Sequence, residues 1–219
     1  MASHIKTFKL ALWINSLAIL CIYSAVLPIN TFTSDILQQK YGISAIQAGE
    51  YFGSVYLIAG LVLPLVGFLV DRCGRMALCM CCAALSCLLA NLMWIFLPNE
   101  CADSDTCHGI VFIPIVMMGC SYGFFAGSAW NAIVYLVEKN KVGTALGICS
   151  SIMNLGIAIV PPLMGLIKDS SPDLDYGYYW VTRLSCVNAS LGLGFCIWLY
   201  VYDLKYNGGI LNMNVVQRN

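Results

Sequence analysis

Six stretches of this chain contain no Asp, Glu, Lys or Arg: Leu10–Ser34, Tyr51–Val70, Met76–Asn99, Gly109–Val137, Val142–Ile167 and Leu184–Tyr202. Each is near or above the roughly 20 apolar residues that a helix needs to cross a bilayer. Hydrocarbon offers no water to the backbone, so the amides must bond within the segment. Barrel strands would alternate in polarity and be about half as long. The runs therefore predict six membrane-spanning helices, and the fold class is an all-α, polytopic membrane protein. Composition agrees. Hydrophobic residues make up 60% of the chain and charged ones 10%, against about a quarter charged in soluble domains. A core of this length has no room to hide so much apolar surface from water. The first run is too long for the apolar stretch of a cleavable signal and lacks a small-residue cleavage site. A net charge of zero gives no footprint for nucleic acid.

Six spans put both termini on one side. That side would hold Lys6, Lys9, Arg72, Arg75, Lys139, Lys141, Lys205 and Arg218, and the other Lys40, Lys168 and Arg183. By the positive-inside bias both termini are expected in the cytosol. The cysteines divide accordingly. Cys79, Cys81, Cys82 and Cys87 fall inside the third run, where thiols act as small apolar groups. Cys101 and Cys107 flank a short polar loop on the non-cytosolic side. They form either a disulfide or two free thiols there.

Two places in the chain repeat each other. Pro64-Leu65-Val66-Gly67-Phe68-Leu69-Val70-Asp71 closes the second run, and Pro162-Leu163-Met164-Gly165-Leu166-Ile167-Lys168-Asp169 closes the fifth. Pro, Leu, Gly and Asp coincide in register. The pattern suggests two copies of a three-helix unit, residues 1–104 and 105–219. Three is odd, so the copies would enter the membrane from opposite sides, as inverted repeats. The link after the second run reads Gly67-x-x-x-Asp71-Arg72-x-Gly74-Arg75. There Asp71 can face the positive N-terminus of a neighbouring helix, Gly67 lets that neighbour come close, and Gly74 permits a tight turn. Arg72 and Arg75 can pair with Asp71 or with lipid phosphates.

This link resembles the signature loop of the major facilitator superfamily. The resemblance extends along the chain to the C-terminal half of the lysosomal dipeptide uniporter branch. It is carried by Ile5-Lys6-Thr7-Phe8 with Leu12-Trp13, Leu27-Pro28, Ser54-Val55-Tyr56, Trp130, Gly143-Thr144-Ala145-x-Gly147, Asn154-Leu155-Gly156-Ile157-Ala158-Ile159 and Gly208-Gly209-Ile210-Leu211-Asn212. It departs at Asn131, where the family pattern implies proline. The resemblance implies six helices as half of a twelve-helix carrier, movement of small peptides by alternating access, and a lysosomal or other endomembrane setting.

A carrier needs a polar face inside the membrane. Tyr23 and Asn30 recur at helical spacing on the first span, and Ser24 and Thr31 run beside them. Ser128, Asn131 and Tyr135 form a stripe on the fourth, and Ser150 and Asn154 one on the fifth. Tyr56 and Trp130 add aromatic surface. The candidate substrate-binding residues are Tyr23, Asn30, Tyr56, Trp130, Asn131, Tyr135 and Asn154. For the asparagines the competing reading is hydrogen bonding between helices. For Tyr56 and Tyr135 it is an interfacial belt. Trp130 either stacks on a ligand or fills space. No ionisable Asp, Glu, Lys or Arg lies in a run, so the chain offers no proton relay of its own.

Two function classes remain. One is a half-carrier for a small solute, paired with a second six-helix half or with a copy of itself. The other is a non-transporting subunit of a larger membrane complex; a piece of a full twelve-helix carrier is a further possibility. An enzyme is not expected, since the sequence shows no nucleophile–base pair, no metal-ligand spacing and no phosphate loop. Neither cofactor nor metal is implied, and lipid is the remaining partner.

Overall fold

A computed structural model describes residues 8–97 and 104–214. Six long helices account for most of them: α1 (Leu10–Tyr41), α2 (Ala45–Cys73), α3 (Met76–Phe96), α4 (Ser104–Leu136), α5 (Val142–Ser170) and α6 (Tyr179–Tyr206). Each is long and apolar enough to cross a membrane, so the chain is an integral, multi-pass membrane protein. Among the described residues none is in a strand.

α1 is the most enclosed helix. It packs against α6, α5 and α2, while α4 packs against α2 and α3, and α3 against α6. α2 and α5 are the least covered. Exposed Leu57, Leu61, Leu65 and Phe68 on α2 would face acyl chains or other protein in a bilayer. Close packing of α4 on α2 depends on a glycine stripe. A Cβ on Gly119 would come within 2.8 Å of the Val55 carbonyl, and one on Gly123 within 2.9 Å of Val62. Gly127 sits as close to Val66. Small residues four apart let two backbones approach where lipid supplies no hydrophobic drive.

The helices run past the charge-free stretches, and this corrects the expected span limits. α1 continues through Asp35 and Lys40, α5 ends beyond Lys168, and α6 carries Arg183 and Asp203. The extensions hold because their charges find partners. At the end opposite the termini, Lys40 pairs with Asp175 at 2.9 Å. Asp35 accepts from Lys168 and from the Tyr178 hydroxyl, and from Gln39 at 2.8 Å. Burial, and then the bond to Asp35, push the Tyr178 phenol well above its ordinary pKa. It stays protonated and keeps donating. α1 then stops in a left-handed Gly42, φ +63°, whose N–H bonds to the Gln38 carbonyl at 3.2 Å. Ser44 starts α2 by accepting from the Gln47 amide.

At the other end, the α2–α3 link and the segment that follows α6 come together. Asp203 is fully buried on α6 and accepts from the Leu211 amide at 3.1 Å and the Asn212 side chain at 3.3 Å. This fixes the turn Ile210–Asn212, whose Asn212 carbonyl takes the Arg75 amide at 3.3 Å. Gly74 has φ +69°, and a Cβ there would fall 2.5 Å from the Met213 backbone. With ψ −135° as well, Gly74 stands where residues with a Cβ rarely go, so Gly74→Ala is expected to cost about 1–3 kcal/mol in backbone strain, and more through the overlap. A lowered thermal midpoint in detergent, with faster amide exchange at residues 208–214, is the check.

Candidate functional site

Between α1, α2 and α4 lies an open groove of about 610 Å³. Its floor is made of small residues, Ala59, Gly60 and Gly67 of α2 facing Gly123, Ala126 and Gly127 of α4. Its walls are Tyr23, Tyr56, Tyr122 and Trp130, and Asn131 closes one side. The stripe Gly119, Gly123 and Gly127 draws α4 onto α2, while Gly60 and Gly67 of α2, with nothing within 4 Å of where a Cβ would stand, leave the space open.

The aromatic wall is ordered by mutual contact. The Trp130 indole N–H donates to the Tyr23 hydroxyl at 2.8 Å. The Tyr23 ring meets Tyr122 edge-on at 5.6 Å and Trp130 at 6.4 Å, and Tyr122 meets Tyr56 at 6.1 Å. Edge-to-face pairs at these separations are attractive beyond their area. Asn131 donates one amide hydrogen to the Gly127 carbonyl at 2.7 Å, one turn back on its own helix. Its carbonyl oxygen and second hydrogen remain to face the groove. What the surface offers a solute is aromatic faces, phenolic hydroxyls and a carboxamide. No Asp, Glu, Lys or Arg lines it.

Four of the residues singled out from sequence therefore meet: Tyr23, Tyr56, Trp130 and Asn131. Three do not. Asn30 is 1% exposed inside α1, and neither polar atom of its amide has a hydrogen-bond partner. Tyr135 packs half-buried against the core. Asn154 is exposed on α5, outside the groove. The helical stripes also split. Ser128 is fully buried and bonds back to the Phe124 carbonyl at 2.8 Å, whereas Asn131 opens outward. Ser24 lies in a smaller groove of about 230 Å³ between α1, α5 and α6. Tyr122, one of the polar residues of the fourth span, and the glycines also line the groove, beyond the candidate residues taken from the polar stripes. The spacing Gly119, Gly123, Gly127 was the signal available.

The signature loop also differs from expectation in part. Asp71 is exposed on the last turn of α2, and among the described residues neither it nor Arg72 nor Arg75 forms an ion pair. Arg72 lies 6.0 Å from the Phe68 ring instead. A Cβ at Gly67 would meet nothing within 4 Å, so among the described residues no neighbour uses the space it leaves. Gly74 does make the tight turn, against the C-terminal segment. Cys107 lies in the first turns of α4, but Cys101 falls outside the described residues, and with it the pairing considered for the two.

The sequence profile of the Major Facilitator Superfamily matches residues 12–209. The chain belongs to the Major Facilitator Superfamily. It is 30% identical over 216 residues to the lysosomal dipeptide transporter MFSD1 of Homo sapiens, covering 99% of this chain and 43% of that protein. The Danio rerio transporter of the same name is 27% identical over 217 residues, covering 44% of its length. An uncharacterized MFS-type transporter of Bacillus subtilis, YfiU, is 26% identical over 132 residues. The chain thus spans less than half the length of the curated MFSD1 relatives, consistent with half of the superfamily's fold. The superfamily and the relatives named are transporters, not enzymes.

Proposed function

We propose that this chain is one half of a facilitator that moves a small polar solute across a membrane by alternating access, with the α1–α2–α4 groove as its share of the binding cavity. The observation that carries the reading is the groove itself: an open concavity at membrane depth, walled by hydrogen-bonding aromatics, on a member of a transporter family. Dipeptides are the proposed solute class, by likeness to the lysosomal dipeptide transporters. Amide groups suit Asn131 and the phenols, and an ammonium suits the aromatic faces. Nothing in the groove counters a carboxylate, so the other half must do so.

The proposed partner is a second six-helix half or another copy of this chain. It would lie against α2 and α5, the two least covered helices. Asp71 and the space beside Gly67 would face it. In this scheme residues 1–104 and 105–219 are inverted three-helix repeats. Both termini lie in the cytosol, and the membrane is lysosomal or another endomembrane. A non-transporting subunit is the competing reading, favoured by the lack of charge in the groove.

The test is counterflow in liposomes containing the purified chain, alone and with a matching N-terminal half. Labelled dipeptide should exchange against dipeptide but not against free amino acid. Native mass spectra of the same samples should show two six-helix bodies together, and Asp71→Asn should shift them toward the free chain. Absence of exchange in both samples would end the transport reading.

A further inference from the structure

A second groove, of about 540 Å³, opens between α5 and α6 at the end opposite the termini. We propose that it holds one anionic phospholipid of the surrounding bilayer, with the headgroup phosphate on Arg183. The argument begins with depth. α6 has 28 residues, hence about 42 Å at 1.5 Å per residue. That exceeds the hydrocarbon core by about 12 Å. Roughly the first four residues therefore lie at headgroup level. Arg183 is at this boundary, with Leu184 and Val187 beyond it in hydrocarbon. Trp180, half-exposed on the groove's rim, sits where interfacial tryptophans collect.

The electrostatics name the headgroup. Arg183 spends one N–H on the Tyr179 carbonyl at 2.8 Å. Its guanidinium lies 3.4 Å from the centre of the Tyr179 ring. That stack fixes the side chain and leaves the rest of the guanidinium fork available. Among the described residues no carboxylate pairs with it. Of the acids at this end, Asp35 is taken by Lys168 and Tyr178 and Asp175 by Lys40; Asp169 and Asp173 are exposed beside the mouth and form no ion pair with Arg183. A fixed, unneutralised guanidinium at headgroup level binds a phosphodiester through two parallel hydrogen bonds. Ser171 lines the same mouth and adds a hydroxyl. Below it, Leu166, Leu184 and Val187 form an apolar trough for an acyl chain. The trough exists because α5 and α6 touch each other little, each being held by α1 instead. A zwitterionic lipid would bring its own cation to Arg183; a lipid of net negative charge brings none, and the exposed Asp169 and Asp173 are left to solvent.

Native mass spectrometry from nanodiscs of equal phosphatidylglycerol and phosphatidylcholine tests this. The chain should retain phosphatidylglycerol at least fivefold over phosphatidylcholine. Arg183→Gln should abolish that preference, and Lys205→Gln, at the opposite end of α6, should leave it intact. Equal retention of the two lipids by the unmodified chain overturns the proposal, as does equal loss with Lys205→Gln. A second readout does not depend on Arg183→Gln folding. Brominated phosphatidylglycerol should quench the unmodified chain more than brominated phosphatidylcholine does, and Trp180→Phe should remove the difference. Quenching that is the same for both lipids also overturns it.

Discussion

Replacing Trp130 with alanine is expected to weaken dipeptide binding by roughly thirtyfold, about 2 kcal/mol, while the helix bundle still forms. The two parts of this expectation have separate causes. Trp130 is half-buried and lines an open groove, so its removal leaves little enclosed void, and cavity penalties arise mainly in closed cores. Binding loses two things at once. One is the indole wall. The other is the hydrogen bond that aims the Tyr23 hydroxyl, which receives the indole N–H at 2.8 Å. Conservative variants separate them. Trp130→Phe keeps a wall and removes the donor; Tyr23→Phe keeps the rings and removes the acceptor. If aiming matters most, both should lose affinity by similar factors of about three to ten, in line with one neutral hydrogen bond. If the wall matters most, both should bind almost normally and only the alanine variant should fail. Affinity is measured by titrating dipeptide into the chain, with its partner half, in nanodiscs. Unchanged affinity for Trp130→Ala would reduce the indole to a space filler.

The same groove shows what a sequence of this kind reveals and what it conceals. Charge-free length revealed the spans, because lipid punishes every unpaired charge and backbone amide it meets. It set the helix ends too short. Asp35, Lys40 and Lys168 stay helical through cross-helix pairs that no local pattern announces. Polarity at helical spacing found Tyr23 and Asn131. It could not separate them from Asn30, which shares a face of α1 with Tyr23 yet lies farther along, buried. A stripe gives a direction around the helix, while the groove occupies only part of its length. Tyr122 went unselected because its importance comes from contact with Tyr23 and Tyr56 on other helices. Gly119, Gly123 and Gly127 carry no chemistry of their own; what they supply is distance between α4 and α2.

Lys40→Met is expected to lower stability by about 3 kcal/mol, the low end for breaking a buried ion pair, or roughly 6–12 °C in thermal midpoint for a chain of this size. The Lys40 side chain is 3% exposed and that of its partner Asp175 17%. The variant thus leaves an acid without a cation in a place water barely reaches. The backbone raises the stakes. Asp175 and Tyr176 have φ of +53° and +54°, and Gly177 follows at +84°. Two non-glycine residues in this region store strain that surrounding contacts must offset. Lys40 holds one side of this turn, and Asp35 holds the other through Tyr178. Combining Lys40→Met with Asp175→Asn removes the orphan charge, and asparagine tolerates positive φ. More than half of the lost stability should return. The Asp35–Lys168 pair is a built-in contrast: Asp35 is 40% exposed, so Asp35→Asn should cost less than about 1 kcal/mol and be masked by salt, whereas the Lys40 effect should persist in salt. Equal, salt-sensitive losses would show that both pairs are ordinary surface contacts. If the contrast holds, α1 is clamped to the α5–α6 connection at one end, while the buried Asp203 fastens α6 to the α2–α3 link at the other. A bundle tied at both ends moves as one body. The alternation proposed for this chain would then take place across the open groove, against a second body on α2 and α5, rather than by rearrangement among its own six helices.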